Sequence, residues 1–398
     1  MFQDNFKSYL TPEIKLVGEL FSPRFFKTSF NSQRLFQNFN PDILLAFLKQ
    51  HRLYSAWNRL QIPGVELGDE KWQAFRTSVS SLSRSNNFQM LQKTAVLVKV
   101  MKAFEESNIP VLSIKGPVQS KVIFDDYAVK ASIDLDILIN LRQFEDAVNA
   151  LKRSGFVQAY LQYELNKHQR EYLLNHFHHL RFFHPEEKLM LELHWQLNTN
   201  KYLLNFSFEQ LYNEAVSINI GGQKIKTLGG ENLIIHLASH GAQHAWSRLD
   251  WLYEFSVELY KCQSEIIGLR QEFNRHGLHL LFNFSMHLCN EVFKTEFPAD
   301  NAEKKTQYSM MKYCAAAIIN PQLPDYTRPW ERIKNKMYQS GFKNGFRYKA
   351  QVWMATRTNI IDWASLRLPE NLFFLYYFVR PVMMIVSLFR KNRKYLSH

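Results

Sequence analysis

Residues 132–140 read SIDLDILIN, Ser132 through Asn140. Ile133, Leu135, Ile137 and Ile139 alternate with Asp134, Asp136 and Leu138, and a period of two means a β-strand with both aspartates on one face. At positions i and i+2 the two carboxylates stand roughly 6–7 Å apart by the strand rise. A strand this apolar belongs in the middle of a sheet, where an acid is costly to desolvate without a cation or a positive partner. Carboxylates so placed converge on Mg²⁺ (or Mn²⁺), a hard cation that takes carboxylate and phosphate oxygens together. Isolated pairs of strand acids also occur on solvated faces, so the neighbouring segments have to decide.

Downstream, LRQFEDAVNALKRSGF (141–156) has the spacing of a helix closing on Gly155. HHLRFFHPEEKLMLELHWQL (178–197) predicts a hairpin turning at Pro185-Glu186-Glu187. On its second strand Met190, Glu192 and His194 share a face, opposite Leu191, Leu193 and Trp195. Glu192 is thus a third acid that completes a metal cage with Asp134 and Asp136. Three carboxylates hold two ions, one activating an attacking oxygen and one steadying a pyrophosphate leaving group. Upstream, NFQMLQKTAVLVKVMKAFEES (87–107) predicts an amphipathic helix, ended by Asn108-Ile109-Pro110, and VLSIKG (111–116) a short buried strand. At Lys115-Gly116-Pro117 a glycine at a strand–helix junction lets backbone N–H groups approach a phosphate, and the helix N-terminus favours its charge. Lys115 adds a point charge there. The same three residues also make a plain turn.

ENLIIHLASHGAQHAWSRLDWLYEFSVELYK (231–261) predicts helix throughout, with His236, His240 and His244 at i, i+4 and i+8 and Arg248 extending the stripe. No HExxH arrangement is present, which argues against a zinc protease. Two readings remain: a stripe docked on the acidic strands with His240, His244 and Arg248 on nucleotide phosphates or the acceptor, or histidines hydrogen-bonded within a helix interface. His176, His178 and His179 read as a surface strand edge.

The order Ile114-Lys115-Gly116, Lys130-Ala131-Ser132-Ile133-Asp134-Leu135-Asp136, Gly155-Phe156 and Leu191-Glu192-Leu193-His194-Trp195 resembles the uncharacterised bacterial nucleotidyltransferase-like family of the polymerase-β-type superfamily. The likeness covers roughly residues 85–260, through His236, His240, His244, Arg248 and Trp251. It implies an α+β fold: a small mixed-sheet nucleotidyltransferase-like core (86–228) between an N-terminal helical region (1–85) and a C-terminal helical region with a basic tail (229–398). It makes Asp134, Asp136 and Glu192 the metal-binding catalytic triad, with Lys115 and Gly116 facing the triphosphate of an NTP. Lys130 stands where the family has Arg, which the resemblance makes a further nucleotide-binding residue. Pro117 replaces the usual Ser and Ile133 a small residue. The implied reaction moves a nucleotidyl group from an NTP to an acceptor and releases pyrophosphate; the alternative is a degenerate relative that binds or scaffolds.

The chain of 398 residues is 46% hydrophobic, 15% aromatic and 21% charged, which excludes a disordered or collagen-like protein. Three cysteines with no CxxC pair suggest neither a disulfide framework nor a zinc module. The N-terminal MFQDNFKSYL has no apolar signal-like core, so a cytoplasmic location is expected. The net charge is +13, and residues 321–398 carry 14 Lys/Arg against four acids. Such a tail meets an anionic surface or only aids solubility. Leu372–Phe389 is apolar but interrupted by Arg380 and Pro381, which argues against a membrane span. With Arg390, Lys391, Arg393 and Lys394 behind it, residues 370–398 read as a peripheral contact with anionic lipid, at the inner face of the membrane, or as a core helix. Nucleic acid ranks behind, because no RNA-binding module accompanies the charge.

Overall fold

The computed structural model describes residues 10–22, 39–60, 70–159, 164–300, 304–320, 328–354, 358 and 360–379. In chain order, helices α1 (Pro12–Leu20), α2 (Pro41–Gln50), α3 (Tyr54–Arg59) and α4 (Glu70–Glu106) precede strand β1 (Val111–Ser113). Then follow α5 (Gly116–Phe124), β2 (Asp134–Ile139), α6 (Phe144–Arg153), β3 (Val157–Gln158), α7 (Lys167–His176), β4 (His179–His184) and β5 (Leu189–His194). After α8 (Phe208–Asn213), β6 (Val216–Ile220) and β7 (Gln223–Thr227) come α9 (Gly230–Gln243), α10 (Leu249–Lys261), α11 (Ile266–Arg275) and α12 (His279–Phe293). The last helices are α13 (Lys304–Ile319), α14 (Pro329–Gln339), α15 (Phe346–Met354) and α16 (Ile360–Ser365). The fold is α+β; among the described residues one mixed sheet of seven strands has the order β3-β4-β5-β2-β1-β7-β6.

Strand β2 lies in the middle of that sheet, as its apolar run requires. It runs antiparallel to β1 and parallel to β5, with Asp136 directly opposite Glu192. One face of the sheet is predominantly apolar. Leu135, Ile137 and Ile139 join Leu180, Phe182, Leu189, Leu191 and Leu193 against Val96, Leu97, Val100 and Phe104 of α4 and Ala147 and Leu151 of α6. Each such side chain contributes about 1.5–3 kcal/mol when buried. A one-residue slip of β2 would turn the aspartates into that cluster, so the register is strongly specified. On the other face Leu112, Ile114 and Leu138 pack with α9, α10 and α12, and there the acids point.

Helix α4 is longer than its sequence signature, starting at Glu70. It ends where Asn108 takes φ 54° and the Ile109 N–H donates back to Phe104 O at 2.9 Å, a left-handed stop. The continuous helix expected over 231–261 is instead two, α9 and α10. His244 closes α9, and Ala245 and Trp246 then take φ 53° and 49°. The Trp246 N–H donates to Gly241 O at 2.8 Å, and its indole folds onto Gly241. Arg248 therefore begins the next helix rather than extending the first one's stripe.

Of the apolar stretch 372–389, residues up to 379 are described; Arg380, Pro381 and the basic residues from Arg390 to Lys394 lie outside the described residues. Its first part is a 3-10 turn, Glu370–Leu375, with Phe373 and Tyr376 buried against Trp363 and Tyr172. Among the described residues no helix is long and apolar enough to cross a membrane.

A Cβ at Gly241 would sit 2.2–2.5 Å from three atoms of the Trp246 ring. Gly241→Ala should therefore destabilise the protein by about 1–3 kcal/mol, read as a lower urea midpoint, because Trp246 is fully buried and has nowhere to move.

Candidate functional site

The β2–β5 register puts Asp136 and Glu192 side by side on the sheet face opposite the apolar cluster. Asp136 is 1% exposed, and its Oδ1 meets Lys115 Nζ at 2.8 Å and His194 Nε2 at 3.0 Å. Glu192 Oε1 meets Arg181 Nε at 2.7 Å, and its Oε2 lies 3.3 Å from His194 Nε2. Burial works to raise the Asp136 carboxyl, but the Lys115 ammonium and the His194 hydrogen bond outweigh it and hold it below its usual range. Glu192 is likewise lowered against its burial, by His194, His179 and Lys115. Burial would lower His194, yet its bonds to the two carboxylates raise it. Asp134 behaves differently. Burial, then repulsion from Asp136 and Glu192, raises its carboxyl to about 6.

Lys115 ends the segment after β1 and caps α5, followed by Gly116 at φ 73° and Pro117 in the first turn. A Cβ on Gly116 would lie 3.8 Å from Asp134 O and 3.9 Å from Ser132 Oγ, so this turn abuts the start of β2. Lys115, Gly116, Asp134, Asp136 and Glu192 are thus brought together as the sequence pattern anticipates. Lys130 is not. Its ammonium is buried on Glu254 of α10 at 2.6 Å and Gln119 of α5 at 3.0 Å, tying the loop before β2 to both helices.

The histidine stripe of α9 faces Lys115. After burial, the Lys115 ammonium is the largest influence lowering His236 (to about 3), His240 (well below its usual value) and His244 (to about 4). These rings are neutral at ordinary pH, so they offer hydrogen bonds and no charge. His240 and His244 pack on Trp251, with centroids 5.2 and 5.1 Å away, and the Arg248 guanidinium lies 4.0 Å over the same indole. The stripe and Arg248 therefore share a platform, although the helix between them is broken.

Sequence reasoning assigned no role to His194, Arg181 and His179. In the β4–β5 hairpin Arg181 pairs with Glu192 and His179 with His194, so their side chains stand on the acidic face. His178 and His179 are not a surface edge: their rings lie 5.4 and 5.0 Å from that of His194. The signal was available, since a turn centred on Glu186-Glu187 fixes which β4 residues oppose Glu192 and His194.

Two observations bear on a metal ion. Among the described residues Asp136 Oδ2 is buried with no hydrogen-bond partner, and Asp136, Glu192 and His194 each bring a ligand atom within 4.8 Å of one another. A donor set dominated by carboxylate oxygens fits a hard divalent cation.

The Asp134 carboxyl titrates at about 6 when folded against an ordinary 3.8. The folded state keeps the proton longer, so stability falls as pH rises through that window and the loss is complete above it. In chelator, Asp134→Asn should therefore be more stable than the parent by about 1–2 kcal/mol above pH 6 and equal to it near pH 4. Urea unfolding at both pH values measures this.

The profile of a family described as uncharacterised nucleotidyltransferase matches residues 37–294, more than half of the chain. The match takes in the whole sheet, the acidic face and the α9–α10 platform. Neither curated proteins nor solved structures gave a match. The chain belongs to the uncharacterised nucleotidyltransferase family.

Proposed function

We propose that this protein transfers a nucleotidyl group from an NTP to an acceptor hydroxyl, amine or phosphate, with release of pyrophosphate. The observation that carries the reading is the in-register pair Asp136–Glu192, with the Lys115–Gly116 helix start beside it. Asp134, Asp136 and Glu192 would hold a divalent ion, Mg²⁺ or Mn²⁺, which neutralises charge on the triphosphate and its leaving group when bound. Lys115 and the free N–H groups of the first turn of α5 bind the phosphates, with one donor fewer because of Pro117. The attacking atom of the acceptor forms its bond to the α-phosphorus as the bridging oxygen to the β-phosphorus leaves. His240 and His244, being neutral, orient phosphate or acceptor by hydrogen bonds. Arg248, stacked on Trp251, adds positive charge. The resemblance to polymerase-β-type nucleotidyltransferases supports the same assignment.

A second reading, a nucleotide-binding protein without turnover, is favoured by one feature. Lys115, Arg181 and His194 already place positive charge against the two inner carboxylates, although Asp136 Oδ2 stays without a partner among the described residues.

A thermal-shift panel of ATP, GTP, CTP and UTP, each with and without Mg²⁺, tests both. One NTP at about 100 times its dissociation constant should stabilise the parent by roughly 2.7 kcal/mol, only with metal, and leave Asp136→Ala unmoved. No shift with any nucleotide would sink the transferase reading, whereas binding without pyrophosphate release under a broad acceptor screen would select the second.

With the donor known, His240→Ala and Arg248→Ala should each weaken NTP or acceptor binding about tenfold or more, seen in titration calorimetry. Unchanged affinity for both would confine the stripe to helix packing.

A further inference from the structure

A cavity of about 340 Å³ opens beside the start of β2. Ile133 and its neighbours in the loop entering β2 form one wall, and Leu189 at the start of β5 forms another. Lys93 on α4 and Arg52, between α2 and α3, also line it. Lys93 is only 8% exposed. Among the described residues, no hydrogen bond or ion pair reaches its ammonium or the Arg52 guanidinium. Lys188 also lines the cavity, and Glu187, the one lining acid among the described residues, is held by Lys99 at 2.9 Å, so Lys93 and Arg52 face the cavity with an excess of positive charge that an anion would complete. Burial lowers both groups; Lys93 is attracted by Asp134 and repelled by Arg52, and Arg52 is repelled by Arg248 and attracted by Asp250 and then Asp134.

The position of the cavity says which part of the reaction it serves. Lys115 and Gly116 approach Asp134 from the β1 side of β2. The cavity lies on the β5 side, between the loop entering β2 and the hairpin turn that leads into Leu189. An anion held there would sit across Asp134 from the turn that faces the triphosphate. We propose that the cavity is the acceptor subsite, and that Lys93 and Arg52 bind a phosphate group carried by a small-molecule acceptor. The proposal rests on the nucleotidyl-transfer reading given above. The volume admits a phosphate and a small carbon skeleton, which fits a phosphorylated metabolite.

The test is titration of the full chain with inorganic phosphate, alone and with saturating NTP and Mg²⁺, in the parent, Lys93→Met and Arg52→Gln. Methionine keeps the apolar stem of Lys93 and removes the buried charge, so that variant should fold at least as stably as the parent. Phosphate should bind the parent whether or not NTP is present, and each substitution should weaken it at least about tenfold. NTP affinity should stay within about twofold. Phosphate that competes with NTP, or substitutions that weaken NTP as much as phosphate, would assign the cavity to the donor and overturn the proposal. A parent that binds NTP but shows no phosphate affinity would overturn it too, leaving the transferase reading intact. Phosphate binding lost in both variants, in a protein that binds no NTP, would keep an anion site and remove its acceptor role along with that reading.

Discussion

Two carboxylates directly opposite each other on neighbouring strands repel, and Asp136 and Glu192 do so at almost full burial. The arrangement survives because three cationic groups reach them from three elements: Lys115 after β1, Arg181 on β4 and His194 on β5. Each arrives through strand register. β1 must end beside Asp136, and the hairpin must turn where it does for Arg181 to oppose Glu192. Removing any one partner would strand a buried charge, which costs more than the intact cluster contributes. The apolar face of the same strands supplies the opposing certainty, since its leucines and isoleucines leave no other register open.

Burial sorts the remaining site groups by charge. The α9 histidines, desolvated and repelled by Lys115, are neutral, and they present an aromatic wall with Trp251. Fixed positive charge stands elsewhere, on Lys115, Arg181, Arg248, Lys93 and Arg52. A polyanion entering this region thus meets charge at its flanks and hydrogen-bonding rings along one side.

The acidic strand, the hairpin and the Lys115 turn were legible because period-two alternation and turn residues are local signals. So was the membership of the chain in its family, which those motifs carried. The break between α9 and α10 was not. It depends on Trp246, a non-glycine residue at φ 49° whose indole fills the space over Gly241, and spacing alone reads straight through it. Lys130 counts among the nucleotide-binding residues by the resemblance, where the family has Arg, yet its ammonium goes to Glu254, which lies in another helix. Nothing in the helical pattern of 87–107 singles out Lys93. Its burial follows only from tertiary packing.

Helix α4 runs 37 residues, about 55 Å at 1.5 Å per residue, and serves two cores. Trp72, Phe75 and Val79 belong to the cluster of α1, α2 and α3, while Val96, Leu97, Val100 and Phe104 belong to the sheet's apolar face. Asn86, Gln89 and Lys93 lie between them. The two cores are therefore locked in rotational phase by one rigid rod. A single inserted residue in that middle stretch would turn everything after it by about 100° relative to what precedes it. Length, tolerated freely in most surface loops, is here fixed as tightly as chemistry.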